Sequence, residues 1–471
     1  MIGSRPIRVA RRTPAARIVA LVTAVAMTAA SLPVKAQPTP RGMPIIRDAE
    51  IEQLLRDYTQ PVLRAAGLTQ QNVQVVIINE RTFNAFVVDG RRIFVNSGAL
   101  MDSQTPNQII GVLAHETGHI AGGHLSRLRE QLATAQTQSI IAMLLGIGAI
   151  VAGGRSGSQG VGDIGAAALT APQEAIRRSL LSYQRTQEEA ADRAGVKFLN
   201  ATGQSAKGMY DTFKRFAEQT MFVSKYIDPY VQSHPMPTER VAGLAELAKT
   251  NPYWERKDPP ELQLRHDLMR AKLSGFMERP DTIARRYPAT DTSLPARYAR
   301  AISTYRNGDS RSALSQIDAL IQAQPNNPYF YELKGQALLE SGHGAEAVAP
   351  LRRAVQLAPQ PAIIQIMLGQ AMINSNDGKL ADEAVSMLRT ALVREPEVPE
   401  GYSHLAMAYG RKGDYAQADL ASAQAALARG DVKTARELAA RAKTRFAVGT
   451  PGWVRADDIV STKMPSTPRR N

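Results

Sequence analysis

The second half of the chain carries an internal repeat, and this repeat limits the fold more than any other feature of the sequence. From about residue 294, glycines recur at spacings of 34, 36 and 35 residues, and an alanine follows each glycine after five or six positions. The glycines are Gly308, Gly342, Gly378 and Gly413, the alanines are Ala313, Ala347, Ala384 and Ala418, and Pro325, Pro359 and Pro396 close the first three units. Glycine at a turn, small residues where two antiparallel helices cross and proline between units are typical of a tetratricopeptide solenoid. A simpler alanine-rich helical bundle is the alternative.

The end of the repeat region can be placed from the same period. Gly430 follows Gly413 by 17 residues, which is half a repeat. We therefore predict a tetratricopeptide repeat domain over residues 294–446, closed by a terminal helix at 431–446. Residues 447–471 contain three prolines and no clear period, so we predict an irregular tail there.

Length and composition indicate what precedes the repeats. The chain has 471 residues, and a single hydrophobic core seldom grows beyond about 250–300 residues, so more than one domain is expected. An apolar fraction of 44% excludes wholesale disorder. The sequence contains no cysteine, which excludes disulfides, thiolate metal sites, a cysteine nucleophile and an amino-terminal lipidated cysteine. Any metal must therefore be held by histidines and carboxylates.

Residues 1–36 have the parts of a secretory signal peptide. Five arginines precede an apolar run from Ile18 to Ala30, and Val34-Lys35-Ala36 supplies a small-x-Ala end. The run has 13 residues, whereas a membrane span needs about 20. We therefore expect a protein exported to the periplasm. The pair Arg11-Arg12 leaves Sec and twin-arginine export both open, and a retained amino-terminal anchor is the alternative to cleavage.

The formal net charge of +14 would suit a nucleic-acid-binding protein, but part of it belongs to this leader. Removal of residues 1–36 would take away six positive charges and leave a formal charge of +8. Aromatic residues do not alternate with basic clusters in the sequence, so we do not expect nucleic acid as a partner.

Beyond a lead-in at residues 37–46, the chain alternates helix and strand signals. Apolar residues at helical spacing predict a helix from Asp48 to Leu68, and the β-branched run Val73 to Ile78 predicts a strand. Asp89-Gly90 lies between two strand-like runs, 83–88 and 91–95, which is a strong hairpin signal.

Two further segments connect the better-defined parts. Residues 136–172 contain a second apolar run and a glycine-rich stretch, and we interpret them as a mobile excursion between two helices. An ordinary buried hairpin, a loop that covers an active site and a loop in peripheral contact with a membrane all stay open. Residues 256–293 are interpreted as connecting helices.

The most informative residues lie in a helix that begins at Thr105-Pro106-Asn107-Gln108. Threonine as N-cap, proline at the first helical position and glutamine at the third form a helix-start signature, and we predict that the helix runs to about Glu130. It contains the HExxH sequence His115-Glu116-Thr117-Gly118-His119. Because residues i and i+4 lie on one helical face, both imidazoles can bind one Zn²⁺ with Glu116 beside it.

A catalytic zinc usually has three protein ligands, and two patterns compete for the third. The metzincin pattern requires Gly122, which is present, and histidine at 125, which is Leu125. His124 would be turned away on a continuous helix, so we interpret it as a polar helix residue. The other pattern is a carboxylate on a later helix, where Glu188 and Asp192 share one face. Glu188 could bind the metal while Asp192 orients a ligand histidine from outside the ligand set.

With these residues the chain resembles the zinc metallopeptidases related to HtpX and the CAAX prenyl proteases. The matching segments are His115 to His119, Glu188 to Asp192, Asn84-Ala85-Phe86, the strand of Arg92, Ile93, Phe94, Val95 and Asn96, and Ser233-His234-Pro235 with Arg240. The combination of a signal peptide, a catalytic domain and carboxy-terminal repeats resembles the periplasmic BepA-type branch of this family, which is linked with outer-membrane protein assembly and quality control. The expected fold is mainly α: a zincin-like α+β metalloprotease domain with a small β-sheet at 47–255, followed by the α-helical tetratricopeptide solenoid.

The resemblance also implies roles for individual residues. His115, His119 and Glu188 would be the ligands of one Zn²⁺ per chain, Glu116 the general base and Asp192 a partner of the ligands. His234 would face the metal, either as a donor to the transition state or as a ligand that caps the zinc in a resting form, with Arg240 nearby.

These observations lead to a functional hypothesis with alternatives. The leading hypothesis is a periplasmic zinc endopeptidase that cleaves unfolded or misassembled outer-membrane proteins, with the solenoid docking assembly machinery or client proteins. An edge strand at 92–96 would pair with an extended peptide. The alternative is a chaperone-like assembly factor whose protease site is mostly gated. A third hypothesis is an integral membrane protease like HtpX.

Overall fold

The computed structural model describes residues 44–134, 161–222, 234–235 and 238–463, without the side chains of 161–177, 179–180 and 219–222. The predicted signal peptide at 1–36, the lead-in up to residue 43 and the predicted excursion from 136 to 160 lie outside the described residues. Within the described ranges the chain is mainly helical and contains one small sheet, as predicted.

The sheet has four strands in the order β1–β2–β4–β3. The strands are β1 (Ile45–Ile46), β2 (Gln74–Ile78), β3 (Ala85–Val87) and β4 (Arg92–Asn96). Strands β3 and β4 are antiparallel, which confirms the hairpin around Asp89-Gly90, while β2 runs parallel to β4. Strand β1 pairs antiparallel with β2, so the lead-in prediction is wrong at its last two residues, Ile45 and Ile46.

Strand β4 lies inside the sheet, and the prediction of a substrate-binding edge strand at Arg92–Asn96 is therefore wrong. Its residue Val95 faces Ile77 of β2 on one side and Ala85 of β3 on the other. The local hairpin signal did not reveal that β2, from earlier in the chain, pairs with the outer side of β4. Among the described residues, β3 is the edge strand next to β4, and β1 is the edge strand at the opposite end of the sheet.

Among the described residues before residue 250, the sheet is accompanied by several helices in addition to the helical residues 124–134. They are α1 (Ala49–Ala65), α2 (Ser97–Asp102), α3 (Pro106–Ala121), α4 (Val161–Ala201), α5 (Lys207–Phe222) and α6 (Thr238–Lys249). One hydrophobic core holds side chains from the sheet and from several helices, including Leu54, Ile93, Leu113, Leu199 and Phe213. Because α4 begins at Val161, the predicted excursion is wrong for residues 161–172.

The predicted connecting region contains α7 (Pro260–Met277) and α8 (Pro280–Arg286). Helix α7 contributes to two cores: Met269 and Leu273 pack in the core of the first half, whereas Leu268 and Ala271 pack in the first core of the repeats. The two halves therefore share a helix rather than being joined by a linker without contacts.

The repeat region consists of paired helices and confirms the predicted solenoid. They are α9 (Leu294–Arg306), α10 (Ser310–Ala323), α11 (Pro328–Glu340), α12 (Gly344–Leu357), α13 (Ala362–Asn374), α14 (Ala381–Arg394), α15 (Pro399–Arg411), α16 (Tyr415–Ala428), α17 (Val432–Arg445) and α18 (Pro451–Val460). Gly308, Gly342 and Gly413 form three of the turns with φ of 89°, 81° and 75°. In the third pair, Asn376 takes the left-handed conformation instead, with φ of 58°, and Gly378 begins a short 3-10 helix.

The end of the solenoid differs from the prediction. Helix α17 lies where a terminal helix was predicted, but α18 follows it, so the prediction of an irregular tail is wrong at 451–460. Thr450 caps α18 by accepting from the amide of Trp453, and Ala456 and Ile459 are buried against the preceding helices. Residues 464–471 lie outside the described part of the chain.

A buried ionic cluster joins the beginning of helix α1 to the repeats. The ammonium group of Lys272 on α7 lies 2.8 Å from Asp48 Oδ2, 3.2 Å from Glu50 Oε2 and 3.8 Å from Glu332 Oε2. Tyr298 of the first repeat helix donates a 3.0 Å hydrogen bond to Glu50. The amino-terminal end of α1 is thus fixed to the solenoid by charged groups as well as by apolar contacts, which include Ala49 against Ala354 and Ile364.

None of the helices in the described ranges combines the length and the apolar character that crossing a membrane requires.

Candidate metal centre

The candidate site lies where α3 crosses α4, and the two backbones touch there. A Cβ atom at Gly118 would lie 2.8 Å from the backbone oxygen of Ala191, closer than real Cβ contacts. Glycine at 118 therefore permits the approach that brings Glu188, on the facing side of α4, to the two histidines of α3. The capping box predicted for the start of α3, between Thr105 and Gln108, is present.

Four predicted site residues meet at one point. Ligand atoms of His115, His119, Glu188 and His234 all lie within 4.8 Å of one another. The Nε2 atoms of His115 and His119 are 3.1 Å apart, and each lies 3.4 Å from a carboxylate oxygen of Glu188. His115, Glu188 and His234 are buried and His119 is half-buried, so their side chains converge on a shielded point.

His234 lies inside this cluster rather than beside it. Its Nδ1 is 3.0 Å from Glu188 Oε2 and 3.3 Å from His115 Nε2. Its other nitrogen, Nε2, lies 3.4 Å from Glu116 Oε1. The side chain thus occupies the space between the candidate base and the candidate ligands.

Asp192 and Arg240 contact each other and the candidate ligands His115 and Glu188. The Oδ1 atom of Asp192 lies 2.9 Å from Nδ1 of His115, the nitrogen that points away from the cluster. Arg240 contacts Asp192 and also Glu188, with its Nη1 2.8 Å from Glu188 Oε2. Arg240 therefore contacts both the candidate ligand Glu188 and the carboxylate that faces His115.

Burial and these charges set the pKa values of the ligand side chains. Burial alone would raise the pKa of Glu188, but the charge of His234 and hydrogen bonds from His115 and His234 hold it well below its usual range. Burial would lower the pKa of His115, but hydrogen bonds to Asp192 and Glu188 raise it to about 9. Burial and the charge of His115 hold the pKa of His119 well below its usual value. Burial would raise the pKa of Asp192, but the charge and hydrogen bonds of Arg240 lower it below its usual value.

Glu116 is fully buried, and burial raises its pKa although the charges of His234 and His115 partly offset that effect. Apart from the 3.4 Å contact of Oε1 with His234 Nε2, which is too poorly aligned for a hydrogen bond, neither carboxylate oxygen of Glu116 has a hydrogen-bond partner among the described residues. A buried carboxyl group without such a partner is costly in a purely structural role. Two imidazole nitrogens, one carboxylate and an adjacent carboxyl group therefore form a donor set that fits a zinc ion and a general base.

One residue near the site was misinterpreted from the sequence. Helix α3 ends at Ala121 instead of continuing to Glu130, because Gly122 and Gly123 interrupt it before residues 124–134 are helical again. His124 is consequently not turned away: its Nδ1 lies 3.0 Å from Nδ1 of His119. Burial, followed by the charge of Arg127, lowers the pKa of His124 to about 4. The adjacent glycines were the signal that could have revealed this turn.

Comparisons with known proteins match both halves of the chain. The sequence model of Peptidase family M48 matches residues 47–248, and a Tetratricopeptide repeat model matches residues 298–361. The beta-barrel assembly-enhancing protease of Yersinia pestis is 23% identical over 418 residues, which cover 88% of this chain and 83% of that protein. The protein of the same name from Escherichia coli (strain K12) is 22% identical with the same coverage. Metalloprotease YcaL of Escherichia coli (strain K12) is 30% identical over 195 residues, or 39% of this chain and 67% of that protein.

Proposed function

We propose that this chain, which belongs to peptidase family M48, is a periplasmic zinc-dependent endopeptidase that cleaves unfolded or misassembled outer-membrane proteins. The observation that carries the zinc assignment is the convergence of His115, His119 and Glu188, with their ligand atoms within 4.8 Å of one another. Asp192 would orient His115, and Arg240 would hold Asp192 and Glu188 in place.

The chemistry follows from these positions. A bound Zn²⁺ would supply a Lewis acid that polarises a peptide carbonyl and lowers the pKa of water. Glu116 would accept the proton of the attacking water and transfer it to the leaving nitrogen. Its raised pKa suits a group that must both take and release a proton.

The substrate class is inferred from the sheet and from the relatives. The outer strand β3, at Ala85–Val87, is the edge at which an extended peptide could add to the sheet, in place of the inner strand β4. Binding through backbone hydrogen bonds depends little on sequence and suits an enzyme that acts on unfolded chains. The names of the relatives from Yersinia pestis and Escherichia coli support a role in the assembly of β-barrel proteins.

The solenoid would bind the assembly machinery or client proteins. Its last repeats contain a cleft of about 460 Å³ whose lining is mixed: apolar side chains such as Leu392 and Tyr402, the two arginines Arg389 and Arg455, one acid, Asp382, and neutral polar groups. Such a cleft suits a segment of another polypeptide with apolar and acidic side chains. A Tyr402→Ala, Arg455→Glu double variant that still recovered the same cross-linked partners from cells would contradict docking at this cleft.

The position of His234 supports the alternative function, an assembly factor whose protease site is mostly gated. A metal held by His115, His119, Glu188 and His234 would have four protein ligands, as in structural zinc sites, and no open position for a substrate. The two functions are compatible if His234 leaves the site when a client binds.

The catalytic assignment is tested by Glu116→Gln. This variant should keep one zinc per chain, because Glu116 is not among the ligands, and should lose cleavage of an unfolded polypeptide. Glu189→Gln, on the exposed face of α4, is the matched control and should cleave like the wild type. Cleavage by the Glu116 variant at the wild-type rate would overturn the proposal.

A further inference from the structure

His124 makes a contact that neither the zinc assignment nor the fold requires. Its side chain is 6% exposed, and its Nδ1 lies 3.0 Å from Nδ1 of His119. The two rings are nearly perpendicular, with an interplanar angle of 87° and centroids 5.0 Å apart. The other nitrogen of His119, Nε2, is the one that faces His115 and Glu188. His124 therefore contacts the side of His119 that points away from the candidate metal.

The two glycines between His119 and His124 permit this contact. Gly123 has φ of 63°, a conformation that favours glycine, and it lies in the turn that separates α3 from the helical residues that begin at His124. Gly122 has ordinary helical angles, but a Cβ atom there would lie 2.1 Å from Nε2 of His124. The imidazole of His124 thus fills the space that any other side chain at residue 122 would occupy.

We propose that His124 is a positioning residue that orients His119 for zinc binding by accepting a hydrogen bond from its Nδ1. This inference rests on the proposed metal site. A neutral imidazole has one donor and one acceptor nitrogen, so His119 donates through Nδ1 while its Nε2 keeps a free lone pair for the metal. Asp192 does the same for His115 at 2.9 Å. Each candidate ligand histidine then has its own partner, one a carboxylate and the other an imidazole.

The contact predicts a specific effect on metal affinity. Loss of such an outer partner typically weakens metal binding by about 10–100-fold. We expect His124→Ala to weaken zinc affinity by about that factor, measured by competition with a chromogenic chelator on the full chain. His124→Gln can still accept through its amide oxygen and should restore most of the affinity. Ser126→Ala, exposed in the same helical residues 124–134, is the matched control and should bind zinc like the wild type.

A second variant tests the contact without changing either histidine. The Cβ of Gly122→Ala should push the ring of His124 away from His119, so this variant should lose as much zinc affinity as His124→Ala. The double variant should be no weaker than either single variant, because both remove one interaction. The absorption bands of the cobalt-substituted protein should shift in the same variants and stay unchanged in Ser126→Ala.

The outcomes separate this inference from the proposed function. Wild-type zinc affinity in His124→Ala, or additive losses in the double variant, would overturn the role of His124 while leaving the metal site in place. A wild-type protein that binds no zinc, or a His119→Ala variant that binds it unchanged, would overturn both.

Discussion

Arg240 donates a hydrogen bond to each carboxylate oxygen of Asp192, from Nε to Oδ2 at 2.7 Å and from Nη2 to Oδ1 at 2.8 Å. The third nitrogen of the same guanidinium lies 2.8 Å from Glu188 Oε2. One arginine on α6 therefore fixes both the candidate ligand and the partner of His115. The planar fork of arginine suits this arrangement, and lysine cannot reproduce it.

Replacing this arginine should loosen the metal site. In Arg240→Lys we expect zinc affinity to fall by about 10–100-fold, the usual effect of losing a partner of the ligands. Peptide cleavage at limiting zinc should fall with it, and excess zinc should restore part of the rate. Equilibrium dialysis against a zinc buffer would measure the change. Arg193→Lys, on the exposed side of α4, is the control; equal zinc affinity in the two variants would contradict the positioning role.

The crossing of α3 and α4 predicts a second effect. In Gly118→Ala the added carbon would meet backbone of Ala191 at 2.8 Å, and backbone cannot move aside as a side chain can. We expect the helices to separate, with a loss of stability of about 1–3 kcal/mol and a weaker metal site because Glu188 moves away. Urea unfolding and zinc titration would measure both effects.

The matched control for this crossing is Gly243→Ala on α6, where a Cβ atom would meet nothing within 4 Å. Alanine there should stabilise the helix slightly, since it is a better helix former than glycine. A Gly118 variant as stable as the Gly243 variant would show that the helices do not need this close approach.

The sequence was sufficient for those parts of the site that follow from local periodicity. His115 and His119 lie on one face of a helix by spacing alone, and Glu188 and Asp192 likewise, whereas the expectation that the two faces meet came from the resemblance to the metallopeptidases. The capping residues of α3 fixed its start. The repeats were also predictable, because each helix pair packs mainly against its neighbours in the chain.

The errors arose where distant segments or backbone turns decide the structure. The hairpin was predicted, but the pairing of β2 with β4 is non-local, so the inner strand was taken for an edge. His124 was misplaced because a continuous helix was assumed through Gly122-Gly123. Helix α18 was missed although Thr450-Pro451 is a helix-start signature, because the period of the repeats had ended. The cluster around Lys272 joins segments too far apart for any spacing to indicate it.

His234 supplies a prediction about gating. If His234 caps the metal, His234→Ala should open a ligand position and increase cleavage of an unfolded polypeptide, because the four-ligand arrangement would be broken. If it donates to the transition state instead, the same variant should cleave more slowly. Initial rates with zinc-loaded protein would distinguish the two roles, and His404→Ala in the solenoid is the control. An unchanged rate would contradict both.

The cluster around Lys272 should contribute to the stability of the whole chain. Lys272 is 4% exposed in its side chain and faces Asp48, Glu50 and Glu332, whose charges raise its pKa although burial opposes this. Lys272→Met would remove the ammonium group from this largely buried cluster of carboxyl groups, and breaking a buried ion pair costs about 3–5 kcal/mol. Chemical denaturation should show this loss, whereas Lys433→Met, exposed on α17, should change little. A stable Lys272 variant would mean that the cluster does not hold the solenoid to α1.

The same cluster predicts how stability depends on pH. Burial raises the pKa of Glu332 to about 8, and the nearby Asp48 and Glu50 add to this although Lys272 opposes it. An unfolded glutamate has a pKa of about 4.3, so above that pH the unfolded chain has lost a proton that the folded chain still binds. The contribution of Glu332 to stability then falls as pH rises from about 4.3, and this fall ends near the folded pKa of about 8.

Glu332→Gln removes this titration while keeping the shape of the side chain. The melting temperature of the variant, relative to the wild type, should therefore rise between pH 5 and pH 8 and then stay constant, because the neutral amide resembles the protonated carboxyl at every pH. Scanning calorimetry across this range would measure the difference, with Glu397→Gln, exposed in a loop of the solenoid, as the control. Parallel curves for the Glu332 variant and the wild type would mean that Glu332 is ionised in the folded chain throughout this range, with its charge balanced by Lys272.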